Sequence, residues 1–187
     1  MTKPSQAMIT LNNGNKMPQF GLGTFFQATS DDKDKIYQAC RDAISAGYRM
    51  IDTAYVYGIE DQVGQAINDA IKENQIKRDD IFVVTKLAPD QATRAGVRKS
   101  LTESLEKLGL AYVDLFLIHW PCLAKPDGKP FNPELDEGTD IHTETWAAME
   151  DAVKDGLTRS IGVSNYNARQ ITDLMKVSFN FDINYYL

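Results

Sequence analysis

Apolar positions along this chain recur with two alternating periods. Ile9 and Leu11 alternate with polar neighbours, Asn13-Gly14 is a two-residue turn signal, and Met17 follows, so residues 8–17 are predicted to form a hairpin. A short apolar piece, Phe20-Gly21-Leu22-Gly23-Thr24, comes next. From there strand and helix patterns take turns. Residues 31–46 repeat at helical spacing through Ile36, Ala39, Cys40, Ala43 and Ile44, with Ser30 as the cap and Gly47 as the stop. Residues 60–72 (Val63, Ala66, Ile67, Ala70, Ile71), 93–108 (Val97, Leu101, Leu105, Leu108), 142–155 (Trp146, Met149, Ala152, Val153) and 167–175 are four further helices. Short apolar runs at 48–53, 81–85, 113–118 and 160–163 are strands, and the tail from Val177 can open another. Between Pro121 and about Thr139 a stretch rich in Pro, Gly and Asp predicts a long surface loop.

Continuously apolar strands alternating with amphipathic helices predict an α/β protein with a parallel sheet covered by helices. An open doubly wound sheet and a β/α barrel both fit. The dinucleotide fingerprint G-x-G-x-x-G is incomplete, because Thr24-Phe25-Phe26 follows Gly21-Leu22-Gly23.

Composition narrows the function more than the fold. With 43% hydrophobic and 25% charged residues, the 187-residue chain can bury a core, which argues against disorder. The net charge of -6 and the lack of a basic stripe argue against nucleic acid as a partner. Cys40 and Cys122 share no ligand spacing with His119 or His142, so no metal site is expected, and no disulfide framework is implied. The first ten residues lack an apolar signal core, and no apolar run is long enough to span a bilayer. A cytoplasmic protein that does not engage membranes is the expectation.

The strand ends carry the chemistry. Met50-Ile51 runs into Asp52, Val83-Val84-Thr85 into Lys86, Leu117-Ile118 into His119, and Gly162-Val163 into Ser164-Asn165. In β/α folds the carboxyl ends of the strands form the active face, so these groups should converge. Taken singly, each has a plain structural reading: an aspartate capping a turn, a solvated lysine, a hydrogen-bonded core histidine. Just past Asp52 lie Tyr55 and Tyr57. A phenol is a poor acid at neutral pH, but an ammonium beside it, from Lys86 oriented by Asp52, would lower its pKa and make it a general acid for a carbonyl oxygen. His119 can orient the same oxygen by a hydrogen bond. Chemistry alone does not choose between Tyr55 and Tyr57.

Gly47-Tyr48-Arg49-Met50-Ile51-Asp52-Thr53-Ala54, continuing through Tyr57-Gly58-Ile59-Glu60, resembles the first signature of the aldo-keto reductases. Leu108-Gly109-Leu110 through Asp114-Leu115-Phe116-Leu117-Ile118-His119-Trp120-Pro121 resembles the strand leading to that family's catalytic histidine. Gly21-Leu22-Gly23-Thr24, Val84-Thr85-Lys86 and Ile161-Gly162-Val163-Ser164-Asn165 match further strand ends, in order, over nearly the whole chain. The resemblance implies a single (β/α)8 barrel domain over residues 1–187, with an N-terminal hairpin closing its base. It implies reduction of aldehydes or ketones by hydride from NADPH, with a catalytic tetrad of Asp52, Tyr57, Lys86 and His119. Tyr57, not Tyr55, falls at the acid position. Ser164 and Asn165 would hold the nicotinamide carboxamide, Gly23, Thr24 and Asp52 would line the cofactor channel, and Phe25, Val56 and Trp120 would wall the substrate pocket under the Pro-rich loop.

The chain also departs from the family pattern. Phe25 stands where many members have Trp, Ile59 replaces a common Asn, and Asp182 falls where a cofactor-contacting Gln is usual. Barrels of this class run to roughly 250 residues, so the expectation is an incomplete barrel of about six strand–helix units. A truncated copy acting as a binding or regulatory protein is the competing reading. A barrel hydrolase with paired carboxylates is a third, and no carboxylate pair at the strand ends supports it.

Overall fold

A computed structural model describes residues 7–25, 33–121, 141–177 and 184–186. An antiparallel hairpin, β1 (Met8–Thr10) and β2 (Lys16–Pro18), comes first. Six parallel strands follow: β3 (Leu22–Gly23), β4 (Met50–Asp52), β5 (Phe82–Leu87), β6 (Val113–Ile118), β7 (Thr158–Ser164) and β8 (Asn184–Tyr186). Helices α1 (Lys33–Ala46), α2 (Glu60–Lys72), α3 (Arg94–Leu108), α4 (Ile141–Lys154) and α5 (Ala168–Val177) fill the successive connections. The order of strands in the sheet is their order in sequence. A doubly wound sheet reverses at a switch point, whereas the wall of a β/α barrel does not. The fold is therefore α/β of the (β/α)8-barrel type, represented by six parallel strands among the described residues.

Both faces of the sheet are covered, which is why its strands read as unbroken apolar runs. Met50, Phe82, Val84, Leu115 and Leu117 share the inner face and cluster with Leu11 and Met17 of the hairpin. Their neighbours Ile51, Val83, Phe116, Ile118, Ile161 and Val163 pack outward against the helices. The hairpin is fastened by two asparagines. Asn13 and Asn15 each donate to the Arg159 carbonyl (3.1 and 3.0 Å) and to Ser160 Oγ (3.0 and 2.9 Å). It thus covers the amino ends of the strands, as the resemblance implied.

Several local expectations are corrected. The hairpin loop is Asn12-Asn13-Gly14, one residue longer than a two-residue turn. Leu11 N donates to Asn15 O (2.8 Å), Gly14 N donates back to Leu11 O (2.9 Å), and Gly14 takes φ 86°. That is the three-residue turn with a left-handed glycine. Strand β5 runs through Lys86 and Leu87 rather than ending before them, because both pair with Leu117 and Ile118 of β6. On α1, Ala39 is exposed, and the buried stripe is Ile36, Cys40, Ala43 and Ile44. Helix α3, by contrast, keeps its expected bounds, with Thr93 as the cap, its hydroxyl accepting from Gly96 N at 3.1 Å. The Ser30 cap, the loop from Cys122 to Thr139 and the Asp182 position lie outside the described residues. No helix is long and apolar enough to cross a membrane among the described residues, and none of their His, Cys, Asp and Glu side chains group to hold a metal ion.

Candidate active site

Four strand ends bring the predicted residues to one opening. Asp52 is the last residue of β4, Lys86 sits near the end of β5, His119 directly follows β6, and Ser164 ends β7. Lys86 faces the inner side, like its register partner Leu117, and is 5% exposed. A lysine so buried needs partners. Its ammonium pairs with the Asp52 carboxylate and donates to the Thr53 carbonyl at 3.0 Å.

Tyr57 closes a single helical turn, Tyr55–Tyr57, after which Gly58 takes φ 65° and lets the chain reverse into α2. The Tyr57 ring lies 5.3 Å from Lys86 Nζ and 5.6 Å from the His119 ring, edge to face. Tyr55 points elsewhere. Its hydroxyl donates to Glu103 at 2.6 Å, and its ring lies under Lys107. Only one of the two tyrosines therefore faces the lysine and the histidine.

The electrostatics differ from the expectation in one respect. Lys86 does not draw the Tyr57 phenol down, because its charge is met by Asp52. Burial, followed by the Asp52 charge, holds the Tyr57 phenol above its ordinary value. Asp52 is itself raised, because burial outweighs the attraction of Lys86. His119 is pushed down to about 4 by burial and by the Lys86 charge, so it is a neutral imidazole at physiological pH. Its Nδ1 is buried without a hydrogen-bond partner among the described residues.

Around this centre the predicted pocket residues are open to solvent. Phe25 is 72% exposed and packs at 5.1 Å on the Tyr57 ring, Trp120 stacks 6.1 Å from His119, and Val56 is exposed beside them. Thr24 is buried, with its N–H and hydroxyl both donating to the Asp52 carbonyl at 2.9 Å, which ties β3 to β4. Beside it Gly23 is open, with no atom near the place a Cβ would take. At the end of β7, Asn165 holds a positive φ of 63° and donates to the His119 carbonyl (2.8 Å) and to Ser164 Oγ (3.1 Å).

Residues 19–185 match the model of the aldo/keto reductase family. The chain belongs to that family. It is similar to aldo-keto reductase AKR2E4 of Bombyx mori, at 49% identity over 173 residues, which cover 91% of this chain and 54% of the relative. The crystal structure of that relative in complex with NADP superposes with a TM-score of 0.85 at 47% identity, covering 96% of this chain and 56% of the other. Rho crystallin of Aquarana catesbeiana is 40% identical over 183 residues, covering 94% of this chain and 55% of the relative. The chain thus spans about half the length of the curated relatives it matches.

Two features of this aldo/keto reductase chain were not legible in sequence. One is a buried polar cluster behind the site: Glu60 is 1% exposed, and its carboxylate accepts from Thr85 Oγ1 (2.6 Å) and Ser104 Oγ (3.1 Å). Glutamate at the start of a helix usually signals only a favourable dipole interaction, so neither its burial nor its hydroxyl partners can be read from the signature that contains it. The other is a cavity of about 580 Å³ at the opposite pole, between the hairpin and the strand starts, lined by Lys16, Arg49, Asp79, Tyr112, Asp114 and Arg159 among others. Several of its polar groups are already engaged: Tyr112 donates to Asp79 at 2.9 Å, Asp114 binds Arg78 at 2.8 Å, and Arg49 donates to the Ile44 and Tyr48 carbonyls.

Proposed function

We propose that the chain carries the catalytic centre of an NADP(H)-dependent reductase of small-molecule aldehydes or ketones, within a single barrel domain over residues 1–187. The observation that carries this reading is the packing of the Tyr57 ring between His119 and Lys86, with Lys86 held by Asp52. The structural relative's complex with NADP supports the cofactor.

The residues at the opening suit a nicotinamide and a carbonyl compound. Asn165 has its amide N–H groups engaged by the His119 carbonyl and Ser164 Oγ, which leaves its amide oxygen to accept from a carboxamide. The Ser164 hydroxyl offers a further polar contact there. Gly23 leaves an open floor beside Asp52. Phe25, Val56 and Trp120 offer apolar surface to the rest of a substrate. When bound, NADPH supplies the hydride.

In this reading Tyr57 acts as the protonated donor. Burial keeps its phenol neutral, and the alkoxide forming on the substrate is far more basic than a phenolate, so the proton moves downhill. Lys86, its charge met by Asp52, packs against the Tyr57 ring and holds it at the opening. His119, held neutral, donates a hydrogen bond that orients the carbonyl oxygen. Asp52 keeps Lys86 charged and in place.

The test is titration of the purified chain with NADPH, followed by fluorescence, and then addition of a nitrobenzaldehyde. The expected result is saturable binding and NADPH consumption, abolished by Tyr57→Phe with binding retained, and preserved in Tyr55→Phe. Binding without turnover, or turnover that survives Tyr57→Phe, would sink the assignment.

A further inference from the structure

Glu60 is a buried ionisable group that the proposed chemistry does not use. It opens α2, three residues after Tyr57, and is 1% exposed. Its carboxylate is fixed at both oxygens, by Thr85 Oγ1 at 2.6 Å and Ser104 Oγ at 3.1 Å, and both partners are fully buried. Thr85 is the residue before Lys86. In the ladder with β6, Thr85 pairs with Phe116 and Lys86 with Leu117. Phe116 belongs to the helix-side core and Leu117 to the inner core. One strand therefore sends Lys86 inward to the site and Thr85 outward to Glu60. Two covalently short links meet in this carboxylate: three residues back to Tyr57, and one hydrogen bond plus one residue across to Lys86.

A buried carboxylate is an expensive way to join a loop to a strand, since it must be desolvated. Burial raises the Glu60 carboxyl, and the two hydroxyls oppose that. An apolar contact would hold the same elements together, but it is not directional and would not fix their register. Two directional hydrogen bonds do.

We infer that Glu60 is a positioning residue, which clamps the Tyr57 turn to β5 so that the phenol is held over Lys86 and against His119. The inference rests on the reading of Tyr57 and Lys86 given above. It concerns placement, and Glu60 touches none of the reacting atoms.

The variants are Glu60→Leu, which removes both acceptors at similar volume, Thr85→Val, which removes one donor isosterically, and Glu60→Gln, which keeps shape and a polar atom toward each hydroxyl. Two readouts are made on the folded full-length chain. The first is turnover at saturating NADPH and aldehyde beside the NADPH dissociation constant. The second is the nuclear Overhauser contact between the Tyr57 and His119 rings, with Tyr57 assigned through Tyr57→Phe. Glu60→Leu and Thr85→Val should lower turnover by about tenfold to a hundredfold with NADPH affinity within about threefold, as expected for a displaced catalytic group. Both should weaken the ring contact, and Glu60→Gln should restore turnover and contact. If the unaltered chain shows no turnover while Thr85→Val still loses the ring contact, the clamp stands and the reductase reading fails. An unchanged ring contact in folded Thr85→Val overturns the clamp, whatever Glu60→Leu does.

Discussion

The side-chain amide of Asn165 donates to the backbone carbonyl of His119 across 2.8 Å, joining the ends of two neighbouring strands. Asn165 does so from a left-handed backbone conformation, φ 63°. Asn165→Ala should therefore lose the side chain's hydrogen bonds to the His119 carbonyl and Ser164 Oγ and suffer backbone strain, about 2 kcal/mol in all. Asn165→Gly keeps the conformation and should lose only about 1 kcal/mol. Chemical denaturation of the two variants separates the contributions, and equal losses would show that the strain is absent.

Lys86→Met leaves the Asp52 carboxylate buried without its partner. Removing one member of a buried ion pair costs about 3 kcal/mol. The loss should depend on pH with a definite sign. Asp52 already titrates above its ordinary 3.8 in the folded chain, and the variant raises it further. A carboxyl raised on folding costs stability as pH climbs through its folded value, so Lys86→Met should be least damaging in acid. Adding Asp52→Asn should recover much of the loss at neutral pH. Denaturant midpoints at several pH values decide it.

His119 has the opposite sign. It titrates at about 4 when folded, against an ordinary 6.5, so the unfolded chain binds the extra proton between those values. Acidification across that window should remove stability through this residue, by about 2 kcal/mol after allowance for solvent screening. The difference in unfolding free energy between the unaltered chain and His119→Asn, followed from pH 6.5 to 4, isolates the contribution. A flat difference would mean that His119 is not held neutral by its surroundings.

Gly64→Ala should be among the most damaging single changes outside the site. A Cβ there would lie 2.3–2.5 Å from the backbone of Leu108, where α2 crosses the end of α3. The helices cannot move apart freely, because Asn68 Nδ2 bridges the Gly64 and Leu108 carbonyls at 2.8 Å each. Overpacking against backbone costs about 3 kcal/mol. Urea unfolding measures it, and a loss under about 0.5 kcal/mol, typical of a neutral surface change, would contradict the close approach.

What could be read from sequence divides along physical lines. Strand ends were legible because a buried apolar run that stops at an ionisable residue marks the face where backbone emerges from the sheet. That rule pointed to Asp52, Lys86, His119 and Ser164-Asn165, and the structure places them around one opening. Helix faces were legible from their period, down to Trp146 and Met149 of α4. The sequential strand order was legible only through the family resemblance, since periodicity carries no information about which strand lies beside which. The state of Tyr57 was not legible, because it depends on where the Lys86 charge is spent. The burial of Glu60 escaped for a related reason: a carboxylate that two hydroxyls from other elements surround looks, in sequence, like any solvated first-turn glutamate.

The asparagine fastening of the hairpin has a consequence for assembly in time. Asn13 finds its acceptor 146 residues further along the chain. A polypeptide emerging from the ribosome makes the hairpin early and must wait for most of the sheet before the hairpin has anything to grip. The entropy of closing so long a loop grows only slowly with length, by about 0.6 kcal/mol per doubling, so the wait penalises speed more than final stability. The inner-face residues that cover Leu11 and Met17, from Met50 to Leu117, emerge before Arg159 but lie on an unfinished sheet until it arrives. The newborn chain is then most exposed to aggregation, and a chaperone that shields an early apolar hairpin would help it most.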